Sequence, residues 1–458
     1  MPTIDLPGHI FRAYDIRGKI GADITPDRVR LIARTFALDV LPAPRRVVLA
    51  RDLRASSKEL AAAALEGLIE AGAEVWDIGP VPSPLGYFAA GQWQASGAVV
   101  ITASHRPPDE NGMKLRLGDR PFFGDDLQGL YQKALAGSPG PGGGTNVERD
   151  PYPEYFAAAM KYVKLDRPLR VVLDLGNGAG LKTAPRLLKE LGCDLDLLFA
   201  DDDGGQFLGR GPDPTHPGAM DVLSARVCEI GADLGIALDA DGDRIAVVDE
   251  HGRFLGPDLA AIPFCRDMLR DGPEVFVTDV RCTASTHADV EAHGGRLEMA
   301  KCGYPFILAK MGELNAAMGF ETTGHYYFRN PDIKFDDATF ASALVCSILS
   351  RTDQPLSAII DSAPVYYPAD EERWPCPDDV KFKVVDRLTE VYSAHHKVLA
   401  IDGVRVERPD GWALVRASNT AQELTLRWEG NSPETRDAIG ADLTARTAEV
   451  LAEFGIAH

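Results

Sequence analysis

The sequence predicts an α/β protein with several domains, because of its length and its repeating strand and helix patterns. A chain of 458 residues exceeds the size at which a single hydrophobic core stops growing, so we expect about three or four domains. Short apolar, β-branched runs at 47–50, 171–175 and 275–277 are typical of buried strands. Helical apolar stripes accompany each of them. The pattern indicates successive α/β segments.

The first of these units combines the strand at 47–50 with a helix. Ser56 and Glu59 have the spacing of a capping box, and an apolar stripe then continues as far as Gly72. In the second unit, a glycine-rich loop at 177–180 follows the strand and leads into a helix ending near Gly192. This loop lacks the G-x-G-x-x-G spacing of a dinucleotide site, so a tight turn is the better interpretation.

The third unit carries apolar helices around 259–269 and 306–311, and the last segment differs from the others. In the last segment a hairpin turns at 409–411, and a helix opened by Ser432 runs to residue 454. Turn-rich breaks at 136–145, 250–258 and 362–379 separate the segments. We therefore expect domains at 1–145, 146–252, 253–365 and 366–458.

Composition excludes several classes of function. The net charge of −20, from 48 basic and 68 acidic residues, disfavours a nucleic-acid partner. We find neither a signal-like start nor an apolar run near the ~20 residues of a membrane helix, so we expect a cytoplasmic protein without a membrane partner. The seven cysteines are scattered without a C-x-x-C pair, which favours reduced thiols over disulfides or zinc.

A polar, proline-stiffened loop at 102–114 directly follows an apolar strand at 96–102. Open α/β sheets place their chemistry just beyond the carboxyl ends of strands. Ser104 is therefore presented as a candidate nucleophile, with His105 and Lys114 nearby. Taken alone, the serine could equally serve the turn.

Three carboxylates alternate at Asp239, Asp241 and Asp243, between apolar runs at 234–238 and 245–248. Like charges this close need a cation, and hard oxygen ligands suit Mg²⁺ or Ca²⁺. An EF-hand is disfavoured, because Arg244 stands where that loop requires glycine and the flanks are typical of strands. A solvated acidic turn is the remaining alternative.

Two weaker motifs complete the set. Residues 416–420 (R-A-S-N-T) offer a guanidinium, hydroxyls and an amide, the donors that a phosphate dianion needs. Residues 321–325 (E-T-T-G-H) offer groups able to grip vicinal sugar hydroxyls. Each could be structural by itself. The cations Arg17, Arg106, Lys114, Arg244, Arg281 and Arg416 would together form a basic pocket for an anionic sugar phosphate.

The order of these motifs, after F-R-A-Y-D-I-R-G at 11–18, resembles the α-D-phosphohexomutases across nearly the whole chain. The opening motif and R-A-S-N-T favour the phosphomannomutase/phosphoglucomutase branch over the phosphoglucosamine mutases. The resemblance implies three mixed α/β domains and a smaller α+β fourth domain around a central active-site cleft. It also implies exchange between hexose 1- and 6-phosphates through a phosphoserine and a hexose 1,6-bisphosphate.

The resemblance assigns roles to individual residues. Ser104, His105, Lys114 and Arg244 would be catalytic, and one Mg²⁺ per chain would be held by Ser104, Asp239, Asp241 and Asp243. The remaining residues would bind substrate: Tyr14, Arg17, Arg281, Tyr304, Glu321, Thr323, His325, Arg416, Ser418, Asn419 and Thr420. The general acid and base stay open among His105, Lys114, Arg281, Tyr304 and His325.

Five positions depart from the family pattern, namely Arg106, Ala240, Tyr304, Thr323 and Gln422. None of these changes removes a metal ligand or the nucleophile. The alternatives are a phosphoglucosamine mutase, a sugar-phosphate-binding relative without turnover, and a phosphatase that discharges its phosphoserine to water. Intact Ser104 and the three aspartates argue against loss of turnover. We expect small hexose phosphates as partners, and a monomer or weak homo-oligomer.

Overall fold

The computed structural model describes residues 4–137, 139–418 and 422–456. Contacts between residues divide the chain into two compact units, each made of two stretches of sequence. The first unit comprises Met1–Gly256 and Thr323–Ser357, and the second comprises Pro257–Thr322 and Ala358–His458. No helix in the described part of the chain has the length and apolar character needed to cross a lipid bilayer.

The first unit begins with a seven-stranded mixed sheet in the order β1-β5-β4-β2-β3-β7, with β6 beside β5. Strands β4, β2, β3 and β7 are parallel, whereas β5 runs antiparallel to β1 and β4. The elements are β1 (Ile16–Lys19), α1 (Pro26–Asp39), β2 (Arg46–Arg51), α2 (Ser57–Glu70), β3 (Glu74–Pro80), α3 (Ser83–Gln92), β4 (Gly97–Ile101), β5 (Glu110–Leu117), β6 (Arg120–Pro121), α4 (Asp125–Ala136) and β7 (Thr145–Glu148).

Helix α2 forms where the sequence predicts it, but the predicted capping box does not. The Ser56 side chain makes no cap hydrogen bond to the helix. Its hydroxyl instead accepts a hydrogen bond from Asn111 Nδ2 at 2.7 Å. A tertiary partner on β5 has therefore replaced the local one, which the spacing of Ser56 and Glu59 could not show.

The second sheet of this unit has the order β12-β11-β10-β8-β9. Strands β10, β8 and β9 are parallel, and β10 turns directly into antiparallel β11. Its elements are α5 (Tyr152–Ala159), β8 (Arg170–Asp174), α6 (Ala184–Leu191), β9 (Asp194–Leu198), α7 (Asp221–Ile230), β10 (Leu234–Leu238), β11 (Ile245–Asp249) and β12 (Phe254–Leu255). Gly192 ends α6 in the left-handed conformation, as predicted.

The second unit contains three parallel strands in the order β14-β13-β15. After these strands the chain returns to the first unit at Thr323 and re-enters the second at Ala358. The elements are α8 (Ile262–Met268), β13 (Val275–Asp279), α9 (Ala284–Ala292), β14 (Arg296–Ala300), α10 (Tyr304–Leu314) and β15 (Met318–Phe320). The chain then forms β16 (Tyr326–Phe328), α11 (Ala338–Ser350) and α12 (Leu356–Asp361).

The carboxyl-terminal part of the second unit is an antiparallel sheet in the order β17-β22-β21-β20-β19, with β18 beside β22. Its elements are β17 (Tyr367–Pro368), β18 (Glu372–Pro375), α13 (Lys381–Ser393), β19 (Lys397–Leu399), β20 (Val404–Arg408), β21 (Gly411–Ala417), β22 (Glu423–Gly430) and α14 (Pro433–Glu453). The predicted hairpin is confirmed, since Arg408 pairs with Gly411. Ser432 caps α14 by accepting the Thr435 N–H at 3.1 Å.

A buried polar joint holds this sheet against α9 within the second unit. The Glu429 carboxylate accepts hydrogen bonds from Thr283 Oγ1, the Ala284 N–H and Trp412 Nε1, each at 2.8 Å. The Arg405 guanidinium stacks on Trp412, 3.8 Å from the ring centroid. These three donors partly offset the cost of burying Glu429, which still raises the pKa of its carboxyl.

Candidate active site

Ser104 lies just beyond the carboxyl end of β4 in a strained backbone conformation. Its φ is 52°, in the left-handed region, which costs a non-glycine residue about 1–2 kcal/mol. The Ser104 N–H donates to Thr102 Oγ1 at 2.9 Å, and the Thr102 hydroxyl donates to Asp52 Oδ2 at 2.7 Å. Such strain persists only where surrounding contacts fix the backbone, and these two hydrogen bonds supply part of that constraint.

Arg54, which was not predicted from the sequence, also constrains the backbone of Ser104. Its buried guanidinium donates to the main-chain carbonyls of Ser104, Arg106, Pro107 and Glu110 at 2.5 to 3.2 Å. Asp52 Oδ2 lies 3.2 Å from Arg54 Nε and balances the charge. One side chain thus fixes the loop that carries Ser104, the predicted nucleophile. A sequence signal was available, since D-x-R follows β2 at the same sheet edge as Ser104.

The turn between β10 and β11 carries Asp239, Asp241 and Asp243, and all three are buried. An oxygen from each lies within 4.8 Å of the others. Asp239 Oδ1 accepts the N–H groups of Asp243 and Arg244 at 3.1 and 3.2 Å. Gly242 allows the turn, with a φ of 71° and Pro82 3.1 Å from where a Cβ would lie.

The oxygens of this cluster fit a divalent cation. Asp241 Oδ1 and Asp243 Oδ1 are buried without a hydrogen-bond partner among the described residues, a costly arrangement unless another ligand is bound. Ser104 Oγ lies 3.1 Å from Asp239 Oδ2. The structure therefore brings the four predicted metal ligands together. Strands flank the turn on both sides, which agrees with rejecting an EF-hand.

Lys114 and Ser83 balance the acidic cluster from the first sheet. Lys114 Nζ lies 2.7 Å from Asp241 Oδ2 and 2.6 Å from Asp243 Oδ2. Ser83 begins α3 and binds Asp241 twice: its N–H donates to the main-chain oxygen at 2.8 Å and its hydroxyl to Oδ2 at 2.6 Å. Ser83 was not predicted, because its partner is 158 residues away along the chain.

The pKa values reflect this balance of charges. Burial, reinforced by the charges of Asp243 and Asp241, raises the pKa of Asp239 well above its usual range. Burial opposes the ionisation of Asp243, but Lys114, His325 and Arg244 outweigh it and hold that pKa below its usual range. Burial would also lower the pKa of Lys114, yet Asp241 and Asp243 raise it well above the ordinary value. Lys114 therefore remains a cation at neutral pH.

Two histidines lie beside this cluster. His105 Nδ1 is 3.3 Å from Ser104 Oγ, and burial, with the nearby charges of Arg244 and Arg17, lowers the pKa of His105 well below its usual value. Its imidazole is therefore neutral at neutral pH. The Arg244 Nε–H donates to His325 Nε2 at 2.9 Å, and His325 Nδ1 lies 2.7 Å from Asp336 Oδ2.

The boundary between the two units divides the predicted sugar motif. Glu321 and Thr322 belong to the second unit, whereas Thr323 and the residues after it belong to the first. Gly324 has a φ of 93°, and its carbonyl accepts the Ile245 N–H at 3.0 Å. A Cβ on this glycine would lie 2.6 Å from the Ile245 carbonyl oxygen. The part of the motif that belongs to the first unit is thereby attached to β11, immediately after the acidic turn.

The other cations predicted in the first unit are paired with acids. Arg106 grips Glu110 through Nε at 2.9 Å and Nη2 at 2.7 Å, so its charge is largely balanced instead of free for an anion. Arg17, on β1, lies 3.2 Å from Asp15 Oδ1. Tyr14 and Thr323 are half-buried.

In the second unit, Asp279 organises Arg281 and the first half of the sugar motif. Its carboxylate pairs with Arg281 Nε at 2.9 Å and Nη2 at 3.0 Å, and accepts the Thr322 N–H at 2.9 Å. Burial opposes the charge of Asp279, but Arg281 outweighs it and holds the Asp279 pKa below its usual range. Glu321 Oε1 accepts the Gly303 N–H at 2.8 Å, next to Tyr304 at the start of α10.

The predicted phosphate motif is partly described. Arg416 Nη2 lies 2.8 Å from Asp402 Oδ2, and Arg416 Nε is buried without a hydrogen-bond partner among the described residues. The Lys381 ammonium donates to the Ser418 carbonyl at 2.5 Å. Asn419 and Thr420 lie outside the described residues.

The chain matches all four domains that define one family, phosphoglucomutase/phosphomannomutase. The three alpha/beta/alpha domains match at 8–137, 150–252 and 257–367, and the C-terminal domain matches at 372–446. The chain belongs to this family. It is therefore an isomerase, as the resemblance predicted, and the mixed α/β sheets agree with the expected four-domain architecture.

Relatives of this mutase are similar over nearly their whole length. The phosphomannomutase/phosphoglucomutase of Pseudomonas aeruginosa is 34% identical over 437 residues, which cover 95% of this chain and 94% of that protein. A phosphoglucomutase of Neisseria meningitidis is 35% identical over 439 residues, covering 94% and 95%. A crystal structure of a family protein from Burkholderia thailandensis has a TM-score of 0.91 at 35% identity, covering 97% and 98% of the two chains.

The contacts of Arg54 predict a selective loss of turnover. We expect Arg54→Met to lower kcat by roughly a hundredfold, because misplacement of a nucleophile by ~1 Å has an effect of that size. Arg45→Met is the matched control, since Arg45 also donates to main-chain carbonyls, those of Ala37 and Leu38. The control should lower the melting temperature and leave kcat near wild type. Wild-type kcat in Arg54→Met would contradict this role.

Proposed function

We propose that this mutase interconverts the 1- and 6-phosphates of mannose and glucose through a phosphoserine at Ser104 and a hexose 1,6-bisphosphate. The observation that carries the proposal is the position of Ser104 Oγ, 3.1 Å from Asp239 Oδ2 in a buried cluster of three acids. A serine held in this way, in a chain with all four family domains, favours phosphoryl transfer over a purely structural loop.

Each half-reaction breaks one P–O bond and forms another. The bond from Ser104 Oγ to phosphorus breaks as a sugar hydroxyl oxygen bonds to phosphorus, so the hydroxyl loses a proton and the serine oxygen gains one. We assign exchange of the serine proton to His105, whose Nδ1 lies 3.3 Å from Oγ. Arg244 and Asp336 already engage both ring nitrogens of His325, so the sugar proton would pass to another of the candidate groups.

The acidic cluster would hold one Mg²⁺ through Ser104, Asp239, Asp241 and Asp243. When bound, Mg²⁺ would supply electrostatic stabilisation of the phosphoryl oxygens. Lys114 and Arg244 would neutralise charge on the same group, and their positions are fixed by the aspartates themselves. Hard carboxylate oxygens without other partners suit this ion better than a soft metal.

The second unit would hold the phosphate and the ring that are not reacting. Arg416 and Ser418, with Asn419 and Thr420, would grip the distal phosphate, and Arg281 would add a further cation. Glu321 would contact ring hydroxyls beside Tyr304 in this unit. In the first unit, Thr323 and His325 would contact ring hydroxyls, and Tyr14 and Arg17 would bind substrate. The 1,6-bisphosphate must turn around between the two half-reactions, so this clamp must accept either of its phosphates. A phosphatase would not need a clamp of this kind.

The nucleophile assignment predicts the effect of Ser104→Ala. We expect turnover of glucose 1-phosphate to fall by at least about a thousandfold, because the group that carries phosphate is gone. Intact-mass measurement should show one phosphate on the wild type and none on this variant. Ser96→Ala is the control, from the other end of β4, and should keep both. Phosphate on another residue would refute the assignment, and release of free phosphate in place of product would indicate a phosphatase.

The metal assignment predicts reversible inactivation by EDTA. Asp241→Asn should raise the Mg²⁺ concentration for half-maximal activity by at least about tenfold, because one oxygen ligand is lost. Titration of Mg²⁺ by calorimetry would measure the same loss without turnover. Asp194→Asn, which alters an exposed ion pair with Arg170, should leave both values unchanged. Full activity of the metal-free enzyme would disprove the assignment.

Sugar specificity should be broad at C2. Recognition through Glu321 and Thr323 would fall on the 3- and 4-hydroxyls, which mannose and glucose share, and a group that is not contacted is weakly selected. We expect kcat/KM for mannose 1-phosphate and glucose 1-phosphate to differ by less than about a thousandfold (~4 kcal/mol). Thr323→Ser should change this ratio only modestly. A preference for glucosamine 1-phosphate would support the phosphoglucosamine mutase alternative.

A further inference from the structure

Asp402 lies immediately before β20 and contacts two parts of the proposed substrate site in the second unit. Its Oδ2 is 2.8 Å from Arg416 Nη2 and also accepts the Cys302 N–H at 3.1 Å. The adjacent residue, Gly303, donates its N–H to Glu321 Oε1 at 2.8 Å. One carboxylate oxygen therefore connects the phosphate-gripping arginine to the loop that contacts the sugar-gripping glutamate.

The backbone beside Asp402 is shaped around Arg416. Gly403 has a φ of 97°, and a Cβ at this position would lie 2.4 Å from the Val415 carbonyl oxygen and 2.7 Å from Arg416 Cγ. Only glycine allows this approach. Because β20 pairs with β21 through Val404 and Val415, Asp402, two residues before β20, is held beside Arg416 on β21. The pairing of the two strands therefore fixes the position of this ion pair.

A carboxylate next to an anion site should weaken the binding of phosphate by its charge alone. By orienting Arg416, however, the same carboxylate should strengthen the binding of phosphate. A free arginine side chain loses rotamer entropy when it is immobilised, and an arginine that is already held has lost this entropy before the ligand arrives. Asp402 engages Nη2, while Arg416 Nε remains buried without a partner among the described residues. Asp402 therefore holds one N–H of the guanidinium in place.

We propose that Asp402 is a positioning residue, which pre-orients Arg416 for phosphate and ties it to the loop around Cys302 and Gly303. The inference rests on the proposed function, because it takes Arg416 as the phosphate clamp. Asp402 touches neither substrate nor metal in this scheme. Its effect on turnover passes through Arg416 and, by way of the 302–303 backbone, through Glu321.

The direction in which KM changes when the Asp402 charge is removed distinguishes an orienting role of Asp402 from simple charge repulsion. Asp402→Asn keeps the shape and an acceptor for the Cys302 N–H but removes the ion pair. Positioning predicts that KM for glucose 1-phosphate rises about tenfold, the change associated with one charge-assisted hydrogen bond. Charge alone predicts that KM falls. Asp402→Glu, which restores the carboxylate, should recover part of the loss. An unchanged or lower KM in Asp402→Asn would overturn the proposal.

A double-mutant cycle tests whether Asp402 acts through Arg416. In an Arg416→Ala background, Asp402→Asn should cause no further change in kcat/KM, because the group that it orients is absent. The same loss in both backgrounds would overturn the proposal. Asp410→Asn is the matched control, since Asp410 faces Arg408 at 3.5 Å at the other end of the hairpin, and it should behave as wild type.

Two measurements keep this result separate from the proposed function. Melting temperatures of the variants within about 2 °C of wild type would exclude general unfolding as the cause of a raised KM. A wild-type enzyme without mutase activity would refute the proposed function itself. An active wild type whose KM does not respond to Asp402→Asn would refute only the role of Asp402.

Discussion

Three carboxyl groups buried within 4.8 Å of one another are the constraint on which the first unit depends. Such a cluster is stable only if each oxygen finds a donor or a cation. The backbone of its own turn serves Asp239, whereas Ser83 and Lys114 from the first sheet serve Asp241 and Asp243. A main-chain hydrogen bond also fixes the turn, since the Ala338 N–H donates to the Gly242 carbonyl. Charge compensation therefore determines which loops meet, and Ser104 lies beside the acids as part of that arrangement.

The nucleophile loop illustrates preorganisation by a buried cation. Four main-chain carbonyls converge on Arg54, and its charge is balanced by Asp52 instead of by solvent. Because the guanidinium is rigid and planar, it fixes the directions of its acceptors as well as their distances. The positive φ of Ser104 is thus held before any substrate arrives. Reorganisation that would otherwise accompany phosphoryl transfer is completed during folding.

Much of this arrangement could be predicted from the sequence, and the exceptions share a physical cause. Features that depend on local periodicity and turn chemistry could be predicted: the strands at 234–238 and 245–248, the hairpin at 409–411 and the cap at Ser432. The acidic cluster could be predicted because the spacing of Asp239, Asp241 and Asp243 itself implies repulsion that a cation would relieve.

The residues that escaped prediction act over long separations. Arg54 meets Ser104 across 50 residues and Ser83 meets Asp241 across 158. The position of Arg54 just after β2 was a signal, but the local sequence does not show which distant group either residue contacts. The capping box at Ser56 fails for the same reason, because Asn111 competes for the hydroxyl from 55 residues away. A side chain forms a tertiary hydrogen bond in place of the local one predicted from the sequence when the folded chain offers a partner with better geometry.

The attachment of Gly324 to Ile245 has a consequence for anyone who wishes to redesign the choice of sugar. Because a side chain at position 324 would strike the main chain of β11, libraries that vary this position would yield misfolded protein instead of altered selectivity. Thr322 and Thr323 are half-buried and do not carry this steric restriction. New side chains are therefore better introduced at these two threonines, because Gly324 and His325 are held by Ile245 and Arg244 at the acidic turn.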